Sequence, residues 1–90
     1  MSLPFHETLV IIPTFNEIDN IERMITTLFS KYSAISILII EDGSPDGTAN
    51  VVRKLQSQFA SNLHMIERKG KLGLGTAYVT GFKWALNHQY

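Results

Sequence analysis

The chain has 90 residues, 44% of them hydrophobic, which is enough for one compact core and too few for two. Eight basic residues balance eight acidic ones, so nothing points to bulk nucleic-acid binding, and the absence of cysteine excludes disulfides and thiolate metal sites. The apolar runs fall short of the ~20 residues of a membrane span, and the N-terminus lacks the basic start and apolar core of a signal peptide.

Thr8–Ile12 (TLVII) is β-branched and apolar and reads as a first strand, stopped by Pro13. Pro13–Glu17 is a turn without glycine. A helix follows from about Glu17 to Tyr32, where Ile18, Ile21, Ile25, Leu28 and Phe29 recur at three-, four- and seven-residue steps and form one stripe. Asn16 is one candidate cap for it, and Asp19 with Glu22 is a competing capping pair. Ile37–Ile40 contains no polar residue, the pattern of a strand covered on both faces. Glu41 and Asp42 place carboxylates at its C-terminal end, and Gly43-Ser44-Pro45-Asp46-Gly47 breaks it.

The second helix starts near Asp46 or Thr48 and carries Val52, Leu55 and Phe59 inward. Leu63–Ile66 reads as a third, weaker strand, and Glu67–Lys71 as a basic turn at its C-terminal end. The last helix, from about Leu72 to Asn87, groups Leu74, Ala77, Tyr78, Gly81, Phe82, Ala85 and Leu86 on one face, which is expected to meet the sheet through its small residues. His64 and Trp84 read as partly buried packing residues. The order is β-α-β-α-β-α, an α/β chain whose two long crossovers imply a parallel sheet with helices on its faces. The expected strand order is third, second, first, which leaves Thr8–Ile12 at an edge.

Three turns then converge at the C-terminal ends of the strands, where open α/β sheets bind ligands. Pro13–Glu17 and Glu41–Asp46 bring acids that can accept hydrogen bonds from a base or a ribose. Arg68–Lys71, with the helix N-terminus after it, brings groups that can meet phosphates. The pattern points to a nucleotide site, with base and ribose near Asp42 and phosphates near Lys71; the alternative is a solvated sheet edge with ordinary turn residues. Gly73-Leu74-Gly75-Thr76-Ala77-Tyr78 does not complete a dinucleotide fingerprint, because Tyr78 stands where a third glycine belongs, and Lys71 precedes the glycines instead of following them as in a P-loop. No metal-site spacing is evident, so no metal site is assigned within the chain.

VIIPTFNE at Val10–Glu17, with Asn20-Ile21, resembles the opening motif of the family 2 glycosyltransferases. IIEDGSPDGTA at Ile39–Ala49 resembles their second motif, and ERKGKLGLGTAYVTGFKWAL at Glu67–Leu86 is most similar to the dolichol-phosphate (polyprenol-phosphate) mannosyltransferase branch. The resemblance spans nearly the whole chain. It implies the Rossmann-like, three-layer, nucleotide-binding half of a glycosyltransferase A-type (GT-A) fold. The implied activity is inverting transfer of mannose from GDP-mannose to a dolichyl or polyprenyl phosphate, with Mg²⁺ or Mn²⁺ in the full-length enzyme.

By the same resemblance Pro13, Phe15 and Glu17 match positions that contact the nucleoside, and Asp42 matches the acid that holds the base or ribose. Arg68 and Lys71 fall where the family presents basic groups to the diphosphate. Glu41 replaces the usual aspartate, keeping the carboxylate one methylene further out, and Phe15 replaces a common tyrosine. The family's metal-binding Asp-x-Asp and its catalytic residues are expected beyond Tyr90, so the chain reads as the N-terminal portion of a longer transferase, inactive alone. The expected location is cytoplasmic, including a peripheral position at the cytoplasmic face of a membrane. The fragment is expected to self-associate through its exposed edge strand. The alternatives are a family 2 transferase with another donor, such as UDP-glucose, or a non-catalytic nucleotide-binding or assembly module. A receiver-like signalling domain fits poorly, because receivers carry their acids at the ends of the first and third strands.

Overall fold

The computed structural model describes residues 8–32, 34–69, 73–88 and 90. Three strands, β1 (Leu9–Thr14), β2 (Ser36–Glu41) and β3 (Leu63–Glu67), alternate with three helices, α1 (Ile21–Lys31), α2 (Thr48–Gln58) and α3 (Leu74–Asn87). The strands are parallel in the order β1-β2-β3, the expected order, with Val10 beside Ile37 and Ile37 beside Leu63.

β2 is the centre of the molecule. Ile37, Leu38, Ile39 and Ile40 are all fully buried, as expected of a strand covered on both faces. Ile37 and Ile39 point to one face and join Ile21, Ile25 and Phe29 of α1 and Val52 and Leu55 of α2 in the main core. Leu38 and Ile40 point to the other face, against Ala77 of α3, with Leu9, Ile11, Ile66 and Trp84 around them. Two right-handed crossovers in the same direction account for α1 and α2 sharing a face. α3 returns across the opposite face, over β1 and β2. The result is a three-layer α/β fold. His64 and Trp84 are partly buried, as expected, and they pack against each other on the α3 side with ring centroids 4.9 Å apart.

The structure corrects two boundaries and the orientation of one helix face. β1 does not stop at Pro13 but runs through it to Thr14. The carbonyls of Thr8 and Thr14 accept from the amides of Ser36 and Asp42 at 3.0 Å, so even-numbered residues turn their backbone groups toward β2. Pro13, an odd-numbered residue, directs its missing N–H at the open edge, where it costs no ladder bond.

The start of α1 is also displaced. It begins at Ile21, with Asn20 rather than Asn16 in the N-cap position and without a side-chain cap bond, after a turn in which the Glu17 carbonyl accepts from Asn20 and Ile21. Asn16 sits at φ 55°, the left-handed conformation that asparagine tolerates better than most residues. Finally, the large residues expected under α3 lie outside it: Leu74, Tyr78, Phe82 and Leu86 are exposed, and only Ala77 and Gly81 of that stripe are buried. A Cβ built on Gly81 would come within 2.7 Å of Ile11 Cγ2, so the helix approaches β1 too closely for a large side chain at the contact.

Candidate nucleotide site

At the C-terminal ends of the strands, a cleft of about 210 Å³ is lined by Pro13, Thr14, Phe15, Glu17, Asp42, Gly73 and Leu74. Four residues singled out from the sequence, Pro13, Phe15, Glu17 and Asp42, therefore meet in one cavity. They arrive from the end of β1, the turn after it and the end of β2. Gly73 and Leu74 close the other side at the N-terminus of α3, where Gly73 adopts φ 96°. The cleft thus has an aromatic face at Phe15, carboxylates at Glu17 and Asp42, and a helix start opposite.

The turn after β1 carries two of these residues, and it is held by the turn after β2. The consecutive amides of Asn16, Glu17 and Ile18 donate to Ser44 Oγ (2.7 Å), Thr48 Oγ1 (3.1 Å) and Asp46 Oδ2 (3.2 Å). Three backbone donors of this turn that have no partner within it are thereby satisfied from outside. Asp46 also accepts from the Thr48 amide and hydroxyl at 3.0 and 2.5 Å. These bonds, led by the Thr48 hydroxyl, hold the Asp46 carboxyl below the ordinary carboxylate pKa. Asp46 thus holds the first residue of α2, whose N-cap position is Gly47, and it also fixes the wall that presents Phe15 and Glu17.

Glu41 lies beneath this layer rather than in the cleft. It is 2% exposed, and its carboxylate accepts from the Thr14 hydroxyl at 3.0 Å, from the Ser44 amide at 2.7 Å and from the Ser44 hydroxyl. The extra methylene relative to aspartate lets the carboxylate reach back under the turn and organise Ser44, which in turn holds Asn16.

Asp42 and Arg68 form a forked ion pair, Nε to Oδ1 at 2.6 Å and Nη2 to Oδ2 at 2.9 Å, with side chains 7% and 10% exposed. Hydrogen bonding to Asp42 pushes the guanidinium pKa up from its already high value. Nη1 of Arg68 reaches Thr76 and Thr80 on α3 at 3.2 and 3.4 Å. The pairing of Arg68 was the feature sequence reasoning missed; nothing in the spacing links position 42 to position 68 until the register of β2 and β3 is known. Lys71 lies outside the described residues. Among the described residues no group of three or more metal-ligating side chains comes together, and the buried carboxylates are already occupied, Glu41 by hydroxyls and Asp42 by Arg68. These residues do not fit a divalent cation.

Residues 9–88 match the family model described as glycosyl transferase family 2. A polyprenol monophosphomannose synthase of Mycolicibacterium smegmatis is 39% identical over 87 residues, covering 97% of this chain and 33% of that protein. An undecaprenyl-phosphate mannosyltransferase of Micrococcus luteus is 37% identical over 82 residues, covering 91% and 33%. Among solved structures, a mannosyltransferase from Pyrobaculum calidifontis in complex with GDP-Man and Mn²⁺ is similar with a TM-score of 0.77 and 25% identity, over 86% of this chain and 24% of that one. The chain spans about a third of the length of the curated relatives it matches.

Proposed function

The chain belongs to glycosyl transferase family 2, and on that premise we propose that it supplies the nucleotide-sugar-binding part of a longer, inverting transferase that moves mannose from GDP-mannose to a polyprenyl phosphate. The observation that carries this reading is the cleft itself, where Pro13, Phe15, Glu17 and Asp42 converge at the strand ends. An aromatic face and two carboxylates suit a nucleoside: the ring packs on a base, and the carboxylates accept from base N–H or ribose hydroxyl groups. Guanine offers N–H donors side by side at N1 and N2, a match for a single carboxylate. The mannosyl donor and the polyprenyl acceptor are supported by the names of the relatives above and by the GDP-Man complex of the structural neighbour. An acceptor of that kind would bring the enzyme to the cytoplasmic face of a membrane.

Within this reading, the chain's residues bind and orient the donor. The acceptor phosphate is already anionic and attacks the anomeric carbon without needing a base from this chain. A divalent cation would supply charge neutralisation on the departing diphosphate. The residues described here do not hold one, and the ligands for it are assigned to the remainder of the longer enzyme.

Calorimetric titration tests the site. GDP and GDP-mannose are expected to bind more tightly than UDP or UDP-glucose, and Asp42→Asn is expected to weaken binding by about 1–3 kcal/mol, the range for a charged hydrogen-bond acceptor. Equal affinity for all four ligands, unaffected by the substitution, would remove the nucleotide reading. A second part of the proposal concerns β1, whose Leu9 and Ile11 amides face an edge with no partner among the described strands. Such an edge favours pairing with a second copy, and Pro13 confines it to the Leu9–Ile12 end. Sedimentation across 10 to about 100 µM is expected to show a dimer; a monomer throughout would rule the pairing out.

A further inference from the structure

The basic residue at the end of β3 was expected to serve the diphosphate, yet its surroundings describe another task. We infer that Arg68 is a positioning residue that sets Asp42 and the first turns of α3 at a fixed separation across the cleft, and that it acts on the nucleoside end of a ligand rather than on its phosphates. The inference rests on the nucleotide reading above for its effect on binding, and on geometry alone for the positioning.

All three guanidinium nitrogens of Arg68 are engaged. Nε and Nη2 hold the two oxygens of Asp42 in a parallel fork, and Nη1 spans to the hydroxyls of Thr76 and Thr80. The Thr76 hydroxyl donates onward to the Gly73 carbonyl at 2.9 Å, and Gly73 lines the cleft. The main chain is tied in the same place: the Arg68 amide donates to the Glu41 carbonyl at 2.8 Å, and the Asp42 amide donates to the Thr14 carbonyl at 3.0 Å. One side chain therefore ties the end of β3 to the end of β2 and the start of α3, and the last two line the cleft through Asp42, Gly73 and Leu74.

Turning Arg68 to a phosphate would release Asp42 and leave a carboxylate with a 7% exposed side chain unpaired, which is strongly unfavourable. Keeping the pair leaves Asp42 competent. Each carboxylate oxygen carries two acceptor sites, and the fork uses one on each. Because the fork is planar, it also fixes the plane of the carboxylate, and with it the direction in which the remaining acceptor sites point. Lysine keeps the charge and loses the fork.

The test compares guanosine with GDP on the wild-type chain and on Arg68→Lys, Arg68→Gln and Asp42→Asn/Arg68→Gln. Calorimetry is paired with hydrogen exchange of the α3 amides without ligand. Arg68→Lys is expected to weaken guanosine and GDP by the same factor, about tenfold or more, leaving their ratio unchanged. It is also expected to speed exchange in the first two turns of α3. Should Arg68→Gln fail to fold, the lysine variant and the double variant, which buries no unpaired charge, carry the comparison. A loss confined to GDP, or α3 exchange identical to wild type in Arg68→Lys, would overturn the positioning role. Wild-type chain that binds neither ligand while the lysine variant still loosens α3 would leave the geometric role standing and remove the nucleotide reading instead.

Discussion

The two faces of the sheet are built on different terms. On the face covered by α1 and α2, large side chains interlock: Ile21, Ile25, Phe29, Val52 and Leu55 close over Ile37 and Ile39, and Phe29 stacks on Phe59 with ring centroids 4.5 Å apart. On the other face, among the described residues, only Leu38, Ile40 and Ala77 form the buried cluster, and the helix comes down on its small residues. A helix can bury its face through large side chains at ordinary distance or through small ones at close approach. The second mode turns the remaining apolar residues outward. The difference teaches that hydrophobic periodicity identifies a helix better than it identifies the side of the helix that faces the core.

The largest effect is expected where the interlocked face is opened. Ile25 is fully buried between α1, α2 and β2, and Ile25→Ala is expected to cost about 3–4 kcal/mol, from lost transfer free energy and a cavity that rigid neighbours cannot fill. Urea denaturation followed by circular dichroism measures it directly. A loss under about 1 kcal/mol would mean that this face can collapse around the missing side chain and is not interlocked.

Overpacking probes the close-approach face. Gly81→Val is expected to cost about 2–3 kcal/mol, because its Cβ would press on Ile11 Cγ2 and Cδ1 at 2.7 and 3.0 Å. Ile11 is β-branched, which restricts the side-chain rotations by which it could give way. The same denaturation experiment reads this variant. Neutral behaviour would show that α3 can slide away from β1 without penalty.

Much of this architecture was legible before any coordinates. The unbroken Ile37–Ile40 run marked the central strand, the Ile21/Ile25/Phe29 spacing marked the inner side of α1, and the crossover lengths gave a parallel sheet in the order observed. What escaped depends on which way a group points in three dimensions. Pro13 was read as a strand breaker, because a sequence does not say which neighbour a missing N–H faces. The start of α1 was placed too early: residues 18–20 form a turn, and the amides of Asn16, Glu17 and Ile18 bond to Ser44, Thr48 and Asp46, 28 to 31 residues away, partners that no local pattern reveals. For the site, the convergence of Pro13, Phe15, Glu17 and Asp42 was legible from topology. The Arg68–Asp42 fork and the buried position of Glu41 were not, since both follow from register and side-chain reach.

An acid-sensitive contact lies on the α3 face. His64 packs against Trp84, and Trp84 stacks on His88 at 3.8 Å between ring centroids. Among the described residues, Nε2 of His64 is buried with no hydrogen-bond partner. Desolvation, with repulsion from His88 as a smaller cause, lowers the His64 pKa below its ordinary value near 6.5. The unfolded chain then binds the proton more readily than the folded one. Stability is fully present above about pH 6.5 and falls as the pH drops from there toward the lowered folded-state value. His64→Phe is expected to flatten that part of the profile, and denaturation midpoints at a series of pH values between 7.5 and about 5 test it. An unchanged slope in the variant would assign the pH dependence to other groups.

The smallest effect is expected on the outer side of α3. Leu86 is 76% exposed, so it contributes little buried area to the fold. Glutamine has nearly the same helix propensity as leucine, which leaves no backbone reason for a change. Leu86→Gln is therefore expected to alter stability by less than about 0.5 kcal/mol, in contrast to Ile25→Ala on the opposite face. The measurement is decisive when repeated at two protein concentrations. A loss above about 1 kcal/mol that grows with concentration would mean that a second copy covers this stripe, because association stabilises the folded chain by mass action. A similar loss independent of concentration would mean that Leu86 packs within its own chain, and that the close-approach account of α3 is wrong.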